Sequence, residues 1–253
     1  MSDINAADLT VPTFRDQVQN KWAKSIALAS VVSIALGGFN DTFEALEKIA
    51  DFSLSQLTDI PSHHKLERIY IRASSDVLNE TFGAPVYIKR SSSDDVIKYY
   101  LDEQFILSAI TRDDAIVAFL VFPNKGFQPT TLEHAGGELF FEQPLDNIES
   151  VNDVRSSYAR TGIYYIEENN GGDFGYLYSS ISGFSEFLMP SSVDDKKRLS
   201  NLTDAQMLDE NVIETIKDIR KNIKPNFYGY STLSLATLED AILSNSEYRL
   251  IHK

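Results

Sequence analysis

Apolar and polar positions fall into three regimes along the chain. From Ser25 to Asn40, "SIALASVVSIALGGFN", no residue is charged, and Ile26, Leu28, Val31, Val32, Ile34 and Leu36 surround most of a helix. A helix lying on a soluble core keeps one charged face, and this one has none. Sixteen residues at ~1.5 Å each reach about 24 Å, and Trp22 and Ala23, with Lys24 snorkelling, extend this to about 28 Å, close to the ~30 Å of a hydrocarbon core. Residues 22–40 are therefore expected to anchor the chain in a membrane. The alternative is a buried helix packed on Asp41–Leu57. Ser25, Ala29, Ser33 and Gly37 recur every four residues as a helix-packing stripe. The stripe suits either pairing of two copies in the membrane, a homo-oligomer, or close packing on the chain's own next helix.

The second regime is amphipathic. Asn40 or Asp41 can cap a helix whose apolar face is Phe43, Leu46, Ala50 and Leu57, with Glu44 and Lys48 as a favourable i,i+4 pair. It ends before Pro61, and "TDIPSHH" reads as a linker.

Beyond it the pattern turns to short helices and alternating strands. In "SSDVLNETFGAPVYI", Ser74 or Ser75 is placed to cap a helix carrying Val77, Leu78 and Phe82. Gly83 suits a terminating position with positive φ, and Pro85 forbids continuation. Strands are expected at 86–89, 97–101, 105–110 and 115–122, with charged turns such as "TRDD" between them. Farther on, Ile163–Ile166 and Phe174–Ser180 read as an aromatic hairpin turned by Asn169-Asn170-Gly171-Gly172. "SSVDDKKRLSNLTD" (191–204) reads as a surface loop, Asp204 to Lys221 as a helix, and 235–243 as a final helix. The expected fold class is α+β. A flexible N-terminus (1–12) leads into the hydrophobic and amphipathic helices (13–59). A helix-plus-antiparallel-meander module (60–146) and a block of aromatic hairpin and C-terminal helices (147–253) follow.

Val77, Phe82-Gly83 and Pro85 ahead of a strand meander resemble the small outer-membrane-lipoprotein module of the SmpA/OmlA (BamE-like) type. The layout, with "GFNDTFEALEKIADF", "FQPT" and "KPNFYGY", is similar to bacterial proteins that carry an N-terminal hydrophobic helix ahead of such a module. The chain departs from the module in having Ala73-Ser74 where a glycine usually precedes the helix, and it has no lipobox cysteine. The resemblance implies a place in the cell envelope and no particular reaction.

Charge sharpens this. Residues 1–40 hold three acids and three bases. Of the 37 acids and 23 bases in the chain, residues 41–253 therefore hold 34 and 20. So acidic a surface repels nucleic acid and anionic headgroups. Three bases precede the hydrophobic stretch and only Lys48 follows within twenty residues. A spanning helix would thus keep its N-terminus in the cytoplasm and the bulk outside the bacterial inner membrane. A soluble cytoplasmic protein is the alternative. No cysteine is present, which excludes disulfides and thiolate chemistry.

Candidate chemistry is sparse. His63, His64, His134 and His252 show no metal-binding spacing, so no metal is expected. "DFG" (173–175) stands without the other kinase motifs, and no nucleotide fingerprint occurs, so no cofactor is expected. The paired acids Asp94-Asp95, Asp113-Asp114, Glu167-Glu168 and Asp194-Asp195 do not suggest a two-carboxylate site, since neighbours in a strand face opposite sides and most of these pairs read as turns. The excess of tyrosine is more informative. Tyr164, Tyr165, Tyr176 and Tyr178 flank the hairpin and are the candidate binding residues, since tyrosine suits interfaces. The sequence therefore favours a non-enzymatic, membrane-anchored, acidic protein-binding domain with a protein partner and no catalytic residues. The alternatives are a soluble hydrolase with scattered catalytic residues and a soluble acidic immunity or inhibitor protein.

Overall fold

The computed structural model describes residues 59–148, 151–169, 175 and 177–252. The chain divides after Leu57, and all of these belong to the unit Thr58–Lys253. The expected lead 1–12, the hydrophobic stretch 22–40 with its stripe Ser25, Ala29, Ser33 and Gly37, and the amphipathic helix to Leu57 lie outside the described residues, as does Tyr176.

Eight antiparallel strands form one sheet: β1 Tyr87–Arg90, β2 Val96–Leu101, β3 Phe105–Arg112, β4 Ala115–Pro123, β5 Asp153–Ala159, β6 Gly162–Asn169, β7 Ser179–Ser185 and β8 Phe227–Ser231. Their order is β1-β2-β3-β4-β8-β7-β6-β5. The two blocks read from the sequence thus share one sheet, joined where β8 pairs with β4. Helices are α1 (59–67), α2 Asp76–Phe82, α3 Val193–Met207, α4 Ile213–Asn222, α5 Leu235–Leu238 and α6 Asn245–Ile251. The α+β class stands.

The sheet is covered on both faces. On one, Tyr100, Phe105, Leu107, Phe119, Val121 and Tyr165 pack under Leu78 of α2, Phe140 and Leu145, Leu199 and Leu202 of α3, and Ile219 of α4. On the other, Ile97, Ile106, Ile110, Leu120, Phe122 and Phe227 pack under Leu235, Leu238 and Ile242. Double-sided burial explains why "FILSAI" and "AIVAFLVF" are nearly continuous apolar runs. Asp113 and Asp114, at φ 49° and 59°, make the tight β3–β4 turn, the conformation that hairpins with the usual strand twist require.

The first block follows its sequence pattern except at its start: "TDIPSHH", expected as a linker, is helical from residue 59 and runs through Pro61 as part of α1. Gly83 ends α2 at φ 78° and ψ −153°, a region open in practice only to glycine. Ser75 precedes α2 without a side-chain capping bond, whereas Ser74 Oγ accepts from the Asp76 N–H at 3.3 Å. The chain before α2 is instead fixed by the sheet: Ser75 N–H donates to Asp114 O (2.7 Å) and Arg72 N–H to Ile116 O (2.8 Å). Buried Asp102 in the β2–β3 turn accepts from Ser62 (2.5 Å) and Lys65 (2.6 Å) of α1. Burial works against its charge, but these bonds outweigh it and hold the carboxyl below its ordinary value.

The second block departs from the sequence pattern in three places. The stretch expected as a surface loop is α3. Ser192 accepts from the Asp195 N–H, Asp194 and Asp195 fill the positive first turn, and Leu199 and Leu202 are wholly buried. The helix expected over 204–221 is broken: α3 stops at Met207, Asp209 turns back at φ 55°, and Asn211 Oδ1 accepts from Ile213 N–H as α4 begins. The final helix expected over 235–243 is shorter, and a further helix lies beyond it. Leu235–Leu238 passes into a 3-10 turn, and α6 starts afresh from a capping box of Ser244 and Glu247. Lys89 reaches Glu247 at 3.0 Å and ties α6 to β1.

Candidate functional site

Tyr230 and Tyr228 of β8 alternate with Gly229 and therefore point to one face of the sheet. They form the back of an open cleft of about 630 Å³. Phe119 of β4 lies beside them, with its ring centroid 5.5 Å from that of Tyr230, and Tyr178 stands edge-on to Tyr230 at 5.6 Å. The facing wall comes from α1 and the chain after it: His63, Leu66, Ile69, Tyr70 and Ile71. Pro129–Leu132 closes one end. That segment is fixed by Tyr230 itself, whose hydroxyl accepts from the Leu132 N–H at 3.0 Å. Thr131 Oγ1 also donates toward the Gly137 carbonyl at 3.1 Å.

Burial pushes the Tyr230 phenol up to about 12, and raises Tyr178 and Tyr228 as well. All three are therefore neutral near pH 7 and present aromatic surface with a polar tip. At the mouth, Tyr70 is 62% exposed, and Leu132 and Leu177 are each 45% exposed.

The four tyrosines singled out from the sequence do not share one surface. β7 begins at Ser179, later than the expected Phe174–Ser180 strand; Leu177 and Tyr178 precede it outside any strand, and the expected turn residues 170–172 lie outside the described residues. Tyr165 pairs with Phe184 and Tyr164 with Ser185. Tyr178 enters the cleft wall. Tyr164 points to the opposite face and donates to Glu239 Oε1 at 2.8 Å; burial, then Glu239, raise its phenol. Tyr165 is wholly buried and donates to Glu167 Oε2 at 2.6 Å. Tyr228 and Tyr230 carry the cleft without having been singled out; the alternation in "FYGYS" was the available signal.

Glu167 and Glu168 do face opposite sides. Glu168 accepts from Ser179 Oγ at 2.6 Å. Glu167 has no exposed surface and meets Arg220 of α4 at 3.2 Å. Burial pushes its carboxyl up to about 7, although Arg220, Tyr165 and Asn169 all favour the charged form. A second groove, of about 410 Å³, lies between β5 and the end of α3. Its polar groups satisfy one another: Ser156 donates to Gln206 at 2.8 Å, and Gln206 to Val154 O at 3.0 Å. The histidines are dispersed. His63 lies tilted against Phe127 (4.8 Å), His64 pairs with Glu67 (3.1 Å), His134 lies 6.4 Å from Tyr178, and His252 lies against Tyr248 (4.5 Å).

Neither a family model nor a curated protein matches the chain. Among solved structures it is similar to an extracellular protein containing a SCP domain from Bacillus anthracis, at 11% identity and a TM-score of 0.31, over 67% of this chain and 46% of that one. It is likewise similar to a cysteine-rich secretory protein from Staphylococcus aureus, at 12% identity and a TM-score of 0.31, over 70% of this chain and 48% of that one. The chain thus spans about half the length of either structure, and a likeness this distant carries no argument about role.

Proposed function

We propose that the unit Thr58–Lys253 is a non-catalytic binding domain that receives an extended segment of a partner protein in the tyrosine cleft. The observation that carries this reading is the grouping of exposed Tyr70, Leu132 and Leu177 around a concave wall of Tyr178, Tyr228 and Tyr230. Large apolar side chains gathered at the rim of an aromatic hollow characterise contact surfaces rather than idle ones. The excess of 34 acids over 20 bases beyond residue 40 favours a partner segment that is basic as well as apolar, because complementary charge steers encounter and excludes acidic competitors.

The test begins with twelve-residue peptides displayed and selected on the full chain. Selected peptides are expected to pair apolar anchors with Lys or Arg and to bind more weakly as salt rises. Tyr70→Glu combined with Leu132→Glu changes only exposed positions, so stability should move by under ~1 kcal/mol while affinity falls at least tenfold. Peptides that bind the wild type and this variant equally well would remove the cleft from the account.

The domain would be held at the inner membrane by residues 22–40, with its bulk outside. The uncharged run and the bias of Arg15, Lys21 and Lys24 support this placement, as does the envelope-module resemblance of Ser74–Ile88. No helix among the described residues is long and apolar enough to cross a membrane, so the anchor rests on that segment alone. An alkaline carbonate wash should leave the chain in the membrane pellet. Complete release into the supernatant would sink the anchor.

A further inference from the structure

We propose that Tyr165, Glu167 and Arg220 form a proton-operated clasp: with the Glu167 carboxyl neutral, α4 and the Leu145–Asn147 turn stay seated on β6, and ionisation of that carboxyl loosens them. The geometry is that of a single side chain joining three elements. Arg220 leaves α4, meets Glu167 of β6 at 3.2 Å, and donates through Nη2 to the carbonyls of Leu145 (2.9 Å) and Ile148 (2.5 Å). The turn answers with a bond from Leu145 N–H to Ile223 O, just beyond α4. Opening α4 would therefore bring water to Glu167 and release the turn together.

Among the described residues, groups around the carboxyl come from every element packed on it. On its own strand, Tyr165 donates the 2.6 Å bond and Asn169 also acts on it. On β5, Val154 lies directly opposite and carries no charge. On β7, Ser182 is the paired residue, with Tyr228 of β8 beyond it. α3 contributes Leu199 and Leu202 to the same core, and α4 supplies Arg220, the cation that meets it.

The direction of the effect follows from linkage. In the closed state burial pushes Glu167 up to about 7, against an ordinary 4.5 for a solvated glutamate. The closed state therefore holds a proton that the open state has lost between these two values. Its advantage is full below 4.5 and is lost as pH rises to about 7, with up to a tenfold change in the opening equilibrium per pH unit. Above that the effect is constant.

Hydrogen exchange of the full chain at pH 5, 6, 7 and 8, corrected for the intrinsic pH dependence of exchange, reads this equilibrium. The amides of Leu145, Ile148, Ile219 and Ile223 are expected to open at least tenfold more at pH 7 than at pH 5, with little change from 7 to 8. Glu167→Gln should remove the slope. An unchanged slope in that variant, or flat wild-type protection from pH 5 to 7, overturns the clasp. Should the variant fail to fold, carboxyl-carbon NMR of the wild type decides. A Glu167 midpoint near 7 is expected, and one at or below 4.5 overturns the proposal.

Discussion

Gly229→Val is expected to cost about 4 kcal/mol or more, close to the whole stability of many domains. Gly229 lies in β8 between Leu120 of β4 and Ile181 of β7. A Cβ there would overlap the Phe119 carbonyl oxygen, with Leu120 Cδ2 at 2.6 Å and Leu120 Cα at 3.1 Å. A flexible side chain could give way, but a carbonyl within a ladder cannot move without breaking the pairing. Overpacking alone costs ~1–3 kcal/mol. Here it adds to loss of the β4–β8 ladder, the one seam that joins β1–β4 to β5–β7. Urea unfolding of the variant reads the loss as a lowered midpoint, and a change below ~1 kcal/mol would show that β8 does not lie so close to β4.

The second large effect concerns Arg220. Arg220→Met keeps much of the side-chain volume but leaves Glu167 without its cation and the Leu145 and Ile148 carbonyls without their donor. Removing one partner of a buried pair costs ~3–5 kcal/mol, and protonation of the stranded carboxyl sets the lower end of that range at neutral pH. Adding Glu167→Gln to the same chain should recover part of the loss above pH 7, where the stranded carboxyl must take up a proton to stay buried. The coupling from a double-mutant cycle is expected to exceed ~1 kcal/mol. Additive effects would mean that the two side chains act separately and that Arg220 contributes only through the turn carbonyls.

How far the sequence reveals this molecule depends on how locally each element is determined. β3 and β4 were legible because their apolar runs are buried on both faces, and all four of β1 to β4 because Asp94, Asp102, Asp113 and Asp114 mark the intervening reversals. α2 was legible for the same reason, through Gly83 and Pro85. α3 was hidden because only Leu199 and Leu202 in its polar run are wholly buried, so its identity as a helix comes from the cap at Ser192 and from what it packs on. β7, "SSISGFS", has little intrinsic strand preference; it is a strand because β6 and β8 flank it, and Gly183 leaves room for the Phe227 ring. The aromatic residues before it gave the stronger local signal and drew the expected strand too early.

The site was less legible than the fold. The cleft assembles α1, the chain after it, β4, the Pro129–Leu132 segment, Leu177 and Tyr178, and β8, and no spacing in the sequence relates those segments. Alternation correctly separated Glu167 from Glu168, but it cannot say that one of the two faces is sealed under α4. Of the tyrosines the sequence singled out, Tyr178 lines the cleft while Tyr164 and Tyr165 do not; which tyrosines line it depended on the register of β8.

The central claim is that the tyrosine cleft is the contact surface. It is tested most directly by labelling the tyrosine rings of the full chain and following their NMR signals as a selected peptide is added. The rings of Tyr70, Tyr178, Tyr228 and Tyr230 are expected to shift together and saturate with a single affinity, while Tyr99 and Tyr164, on the opposite face, stay in place. Shifts confined to Tyr99 and Tyr164, or none in the four cleft rings at saturating peptide, would contradict it.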